Sequence, residues 1–124
     1  MAPEHDIAVF IGRFQPFHHG HMKVIEQALE KASYLVILVG SAHSPRSYRN
    51  PFTFDERRDM IHRCIPGNML RRVSIRPLED AAYNDSRWIQ AVQNSVMRAA
   101  WEFGYTREPE IALIGHSKDN SSYY

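Results

Sequence analysis

Apolar residues follow two different periods along this chain. Short runs rich in β-branched residues, IAVFIG (7–12), YLVILVGS (34–41), RVSIRP (72–77) and EIALIG (110–115), read as strands. The segments between them read as helices. Met22, Ile25, Leu29 and Ala32 recur at spacings of three and four, which predicts a helix over about 19–32 with one face free to pack on a sheet. The segment TFDERRDMIHRCI opens with Thr53 and Glu56 in a capping-box arrangement, carries Phe54, Ile61 and Ile65 on one side, and stops at Pro66-Gly67. Ile89, Val92, Val96, Ala99 and Phe103 hold the helical period until Gly104 ends it. Strand and helix alternate, so the expected class is α/β: an open parallel sheet with helices on both faces.

Composition narrows this without redirecting it. The 124 residues amount to one domain, spanning 1–124. A formal net charge of +1 with 44% hydrophobic residues lacks the basic footprint of a polynucleotide binder. Cys64 has no second cysteine to pair with, which suits a reducing compartment. The start, MAPEHD, has no basic region, and IAVFIG is too short for a signal-peptide core or a membrane span. A cytoplasmic location and no membrane partner are therefore expected. Two polar loops, SAHSPRSYRNP (41–51) and EDAAYNDS (79–86), follow strand C-termini, where open α/β sheets place their ligands.

The densest chemistry lies in GRFQPFHHGH (12–21), the turn between the first strand and the first helix. His18 and His21, three apart, fall on the same side of the first helical turn. A helix N-terminus offers unpaired N–H groups and a positive dipole end, and two imidazoles add donors to it. Gly20 between them presents no side chain, so a bulky ligand can approach the backbone. The pattern suits a phosphate. A zinc pair is the competing chemistry, but one cysteine and no HExxH pattern leave its remaining ligands unidentified, and no metal site is assigned. Solvated surface histidines are the plain alternative. Neither GxGxxG nor GxxxxGK[ST] occurs, so a phosphate site here is of another kind.

His18-His19-Gly20-His21 resembles the HxGH signature of a nucleotidyltransferase superfamily, whose fold is Rossmann-like. GRFQPFHHGH together with GSAHSPRSYRNPFTFDER is similar to the nicotinamide-mononucleotide adenylyltransferases of the archaeal type. The ending GHSKDNSSYY is more like bacterial bifunctional enzymes that join this domain to a Nudix hydrolase. The resemblance implies adenylyl transfer from ATP, with Mg²⁺, to nicotinamide mononucleotide, giving NAD and pyrophosphate. It implies that His18, His21, Arg13 and Arg49 handle the phosphates. It places Gly12, Phe14, Gly20, Gly115, His116, Lys118 and Asp119 around ATP, and Asp80, Asn84 and Trp88 around the mononucleotide, with the Trp88 indole on the nicotinamide ring. Without the resemblance, Lys118 and Asp119 read as solvated loop charges, Arg49 as evenly balanced between a solvated charge and a phosphate ligand because its loop ends a strand on the phosphate side, Trp88 as core, and Glu56, Arg57 and Arg58 as structural or solvated. A homo-oligomer and a C-terminal Nudix domain are the partners it allows.

The chain departs from the family in one respect. The ISTxxR or SATxIR signature that clamps the triphosphate after the last strand does not occur before SSYY. The expectation is a domain incomplete at its C-terminus, and the alternative function is a nucleotide-binding module without turnover.

Overall fold

The structure, a computed structural model, describes residues 4–42, 46–48, 50–79 and 85–114. Four strands form one parallel sheet: β1 (His5–Gly12), β2 (Ala32–Val39), β3 (Val73–Pro77) and β4 (Ile111–Ile114). Their spatial order is β3-β2-β1-β4. Successive strands run one way from β1 to β3, and the chain then crosses back to set β4 on the other side of β1. The point of reversal lies beside β1, and in such sheets the crevice outside the strand C-termini at that point is the ligand site. Register is fixed by pairs such as Val9↔Val36 and Val9↔Leu113.

The expected Rossmann-like α/β architecture is present, with helices on both faces. Side chains of a strand alternate between faces. Ala8 and Phe10 of β1 join Leu35, Ile37 and Val39 of β2 in one cluster, closed by Ile25, Ala28 and Leu29 of α1 (His19–Lys31) and Ile61 of α2 (Phe54–Cys64). Ile7, Val9, Ile11, Val36 and Leu38 face the other way, onto Val96, Ala99 and Ala100 of α4 (Asp85–Glu102). The short α3 (Gly67–Leu70) follows Pro66, where the sequence predicts only a stop.

The structure departs from the sequence reading in several places, for physical reasons: Ala32, expected to close the first helix, instead begins β2, where it pairs with His5. β1 begins at His5 rather than Ile7, because His5 pairs with Ala32 although its side chain is half exposed. Ile89 has the right helical phase for the core yet is 49% exposed. It lies over the β4 side of the sheet, beside Ile111 and Leu113, where no described element covers it. Gly104 ends α4 as expected, with φ at +100°, a conformation that disfavours a side chain. No described helix is long and apolar enough to cross a membrane.

Candidate functional site

His18 is the N-cap of α1, a role usually taken by Ser, Thr, Asp or Asn. Its Nδ1 accepts the Gly20 N–H at 3.1 Å, and its own N–H donates to Nδ1 of His21 at 3.0 Å. The two histidines thus form a reciprocal capping box. A neutral imidazole that accepts at Nδ1 carries its proton at Nε2. Both rings are therefore set as Nε2 donors on the edge away from the cap. Their planes stack with centroids 3.7 Å apart. His21 is also stacked on Phe17, with centroids at 5.4 Å, and meets the edge of Phe14 at 4.7 Å. No acidic residue lies in the first turn of α1, so the positive end of its dipole is not neutralised from within the helix.

The glycines fit this packing closely. A Cβ on Gly20 would stand 3.0 Å from Cε1 of His18, so the absent side chain makes room for the His18 ring as it folds back to cap. A Cβ on Gly12 would stand 2.8 Å from Cζ of Phe14. Phe14 itself is 2% exposed, sits at φ 50°, and packs edge-on against Phe10. Its ring belongs to the core, so any contact Phe14 makes with a ligand comes from its main chain.

Three links hold the β1–α1 loop to the loop after β2. Gln15 Nε2 donates to the Phe52 carbonyl at 3.1 Å, while the Phe52 N–H donates to Gln15 Oε1 at 2.9 Å. The exposed Arg13 donates from Nη2 to Oδ1 of Asn50. Arg57, buried in α2, donates to the carbonyls of Arg13 and Gly40. The sequence reading gives Gln15 and Asn50 no role and leaves Arg57 as structural or solvated; its burial at 1% exposed makes it structural. The available signal was the arginine one position after the capping Glu56, in a turn already tied to the sheet edge. That cap is formed as expected: the Thr53 N–H donates to Glu56 Oε1 at 2.9 Å, and the Glu56 N–H donates to Thr53 Oγ1 at 3.2 Å. The Thr53 N–H, then Arg46 at 3.0 Å, hold the Glu56 carboxyl below its usual titration range.

The structure therefore brings Gly12, Arg13, Gly20, His18 and His21 to one edge of the sheet, with the Phe14 ring beneath them. Trp88 lies on α4, on the opposite face. It is half-buried against the core and lines a groove of about 700 Å³ with Val9, Ile11, Ile89 and Leu113. Arg49, Asp80, Asn84, Gly115, His116, Lys118 and Asp119 lie outside the described residues. Among the described residues no group of three or more His, Cys, Asp or Glu side chains could hold a metal ion.

Residues 9–120 match the family model described as cytidylyltransferase-like. The nicotinamide/nicotinic acid mononucleotide adenylyltransferase of Acinetobacter baylyi is 37% identical over 122 residues, covering 96% of this chain and 60% of that protein. A crystal structure of a bifunctional NMN adenylyltransferase/ADP ribose pyrophosphatase from Francisella tularensis superposes with a TM-score of 0.81 at 37% identity, over 97% of this chain and 34% of that one. A second Francisella structure of that description, complexed with AMP and a manganese ion, gives a TM-score of 0.80 at 30% identity, over 95% of this chain and 39% of that one. The chain spans about 60% of the length of the curated relatives it matches.

Proposed function

The chain belongs to the cytidylyltransferase-like family, and from that membership and the stacked histidines at the mouth of α1 we propose that it binds ATP and transfers its adenylyl group to nicotinamide mononucleotide, giving NAD and pyrophosphate. The carrying observation is the pair of Nδ1 acceptor bonds, which turns two imidazoles into preorganised Nε2 donors at a helix N-terminus. The relatives from Acinetobacter and Francisella, named for this activity, support the choice of substrates.

In this reading the 5′-phosphate oxygen of the mononucleotide attacks the α-phosphorus of ATP, a P–O bond forms there, and the bond to the β-phosphate oxygen breaks to release pyrophosphate. A phosphate monoester has a second pKa of about 6, so the nucleophile is anionic near neutral pH and needs no general base. What the protein supplies is alignment and charge stabilisation. His18 and His21 donate to the α- and β-phosphate oxygens, and Arg13, with Arg49, offsets charge gathering on the leaving pyrophosphate. The mononucleotide lies toward Asp80, Asn84 and Trp88, and the adenosine toward Gly115 and His116, with Lys118 facing the phosphates. ATP enters as its Mg²⁺ complex. Such an ion would bind phosphate oxygens and keep most of its waters. The Francisella complex with AMP and manganese supports the use of a divalent cation. The bifunctional Francisella proteins are also the reason to propose a Nudix-type partner domain.

The test is to incubate the chain with ATP, Mg²⁺ and nicotinamide mononucleotide, with the acid mononucleotide in parallel, and to follow pyrophosphate and dinucleotide. Equal release of both products is expected. ATP binding without pyrophosphate would leave a nucleotide-binding module, and no ATP binding would overturn the reading of the histidine pair.

A further inference from the structure

Arg57 is the only buried charged side chain among the described residues, at 1% exposed. A guanidinium in the interior is destabilising unless its donors are satisfied. Here they reach three separate pieces of chain. Nε donates to the Thr53 carbonyl at 3.1 Å, at the N-cap of its own helix. Nη1 donates to the Arg13 carbonyl at 2.8 Å and to the Gly40 carbonyl at 2.7 Å, and Nη2 donates to the Ser41 carbonyl at 3.2 Å. Arg13 begins the loop that leads to His18 and to His21 in the first turn of α1, whereas Gly40 and Ser41 follow β2; Asn50 bonds the Arg13 side chain.

The acceptors sit where the backbone is least relaxed. Phe14, next to Arg13, has φ 50°, and Ser41 has φ 53°; both are left-handed conformations that residues with a Cβ rarely adopt. Such strain persists only where the surroundings hold it. A planar fork can bond carbonyls on separate segments at fixed angles, whereas a lysine ammonium is a single point at the end of a flexible stem.

The geometry points to Arg57 as a positioning residue for the nucleotide site. It holds the main chain at Arg13, after β1, and at Gly40 and Ser41, after β2, in one arrangement, so that Arg13 and the histidine pair meet the phosphates together, and it touches no substrate itself. This rests on the reading of that edge as an ATP site.

The experiment compares Arg57→Lys and Arg57→Met with Arg58→Met, whose half-exposed side chain pairs only loosely with Asp55 at 3.4 Å. ATP affinity is measured by calorimetry well below each variant's melting midpoint. Both Arg57 variants are expected to bind ATP at least about tenfold more weakly, since that is about what one misaligned charge-assisted hydrogen bond to phosphate costs in affinity. Arg58→Met should bind as the wild type does. Because Arg57 acts in part through Arg13, the loss of ATP affinity in Arg13→Ala with Arg57→Lys should be smaller than the sum of the two single losses. Lower melting midpoints with unchanged ATP affinity, or strictly additive losses in the double variant, would make Arg57 a structural staple only. Should Arg57→Met fail to fold, Arg57→Lys and the double variant decide. Wild-type protein that binds no ATP would sink the nucleotide reading and this inference together; wild-type binding with unaffected Arg57 variants would sink this inference alone.

Discussion

The ring of His18 occupies the space that a side chain on Gly20 would need, with Cε1 3.0 Å from where a Cβ would stand. A helix gains from replacing glycine by alanine, by up to about 1 kcal/mol. At this position that gain opposes a clash with an exposed ring that can swing away. Gly20→Ala is expected to leave the melting temperature within a few degrees of wild type while displacing the His18 imidazole. Because a misplaced catalytic group can cost about 100-fold in rate, turnover should fall sharply. Pyrophosphate release at the wild-type rate would show that the ring's place is not set by Gly20.

Capping and phosphate binding can be separated at His18. Asparagine is a strong N-cap and keeps an acceptor for the Gly20 N–H, but it has no Nε2 donor. His18→Asn should therefore keep the stability of α1, whereas His18→Ala should lose about 0.5–2 kcal/mol with the cap. Both should lower kcat about 100- to 1,000-fold, the usual loss for one preorganised donor to transition-state charge. Normal turnover in His18→Asn would confine this histidine to the cap.

These two variants also mark where sequence reading stopped. The strand runs and the Thr53–Glu56 cap were legible because apolar period and capping chemistry are local, and local rules give element type well. The adjacency of His18 and His21 was legible from their spacing. Their use as each other's cap was not, because histidine is not a customary N-cap and the bond depends on which ring nitrogen turns inward. For Arg57 a structural role was one of two readings, but its bonding partners were illegible for another reason. Its partners lie 44 and 17 positions away, and only the folded sheet edge brings those carbonyls together. The exposure of Ile89 likewise depends on which part of the sheet is covered, which a helical period does not encode.

Acid should weaken the join between β1 and the segment before β4. The Arg107 guanidinium, 3.0 Å from Asp6, and the Glu110 N–H hold the Asp6 carboxyl below its ordinary range. A carboxyl depressed by folding adds stability above its unfolded pKa, near 4, and that contribution is lost as pH falls through the lower folded value. Melting curves of wild type and Asp6→Asn should therefore differ at pH 7 and converge as pH falls below about 4. A constant gap down to low pH would mean the Asp6 charge contributes nothing to the join.

Trp88 gives two measurements that must agree. Its indole is half-buried against Val9, Ile11 and Val96 and also borders the groove beside β4, so it is neither wholly core nor wholly exposed. Truncating a fully buried aromatic costs about 3–5 kcal/mol, and a half-buried one should cost less. If the indole also stacks on the pyridine ring, Trp88→Ala should weaken mononucleotide binding by about 1 kcal/mol beyond any loss of stability, because aromatic pairs carry about that much. ATP affinity should hold, since the histidine pair lies across the sheet on α1. Trp88→Phe should recover much of the mononucleotide affinity by restoring a flat apolar face. A melt and two titrations separate the readings. Equal loss of both ligands with a fall in melting temperature would assign Trp88 to packing alone, and the second substrate would then have to be sought from residues other than this indole.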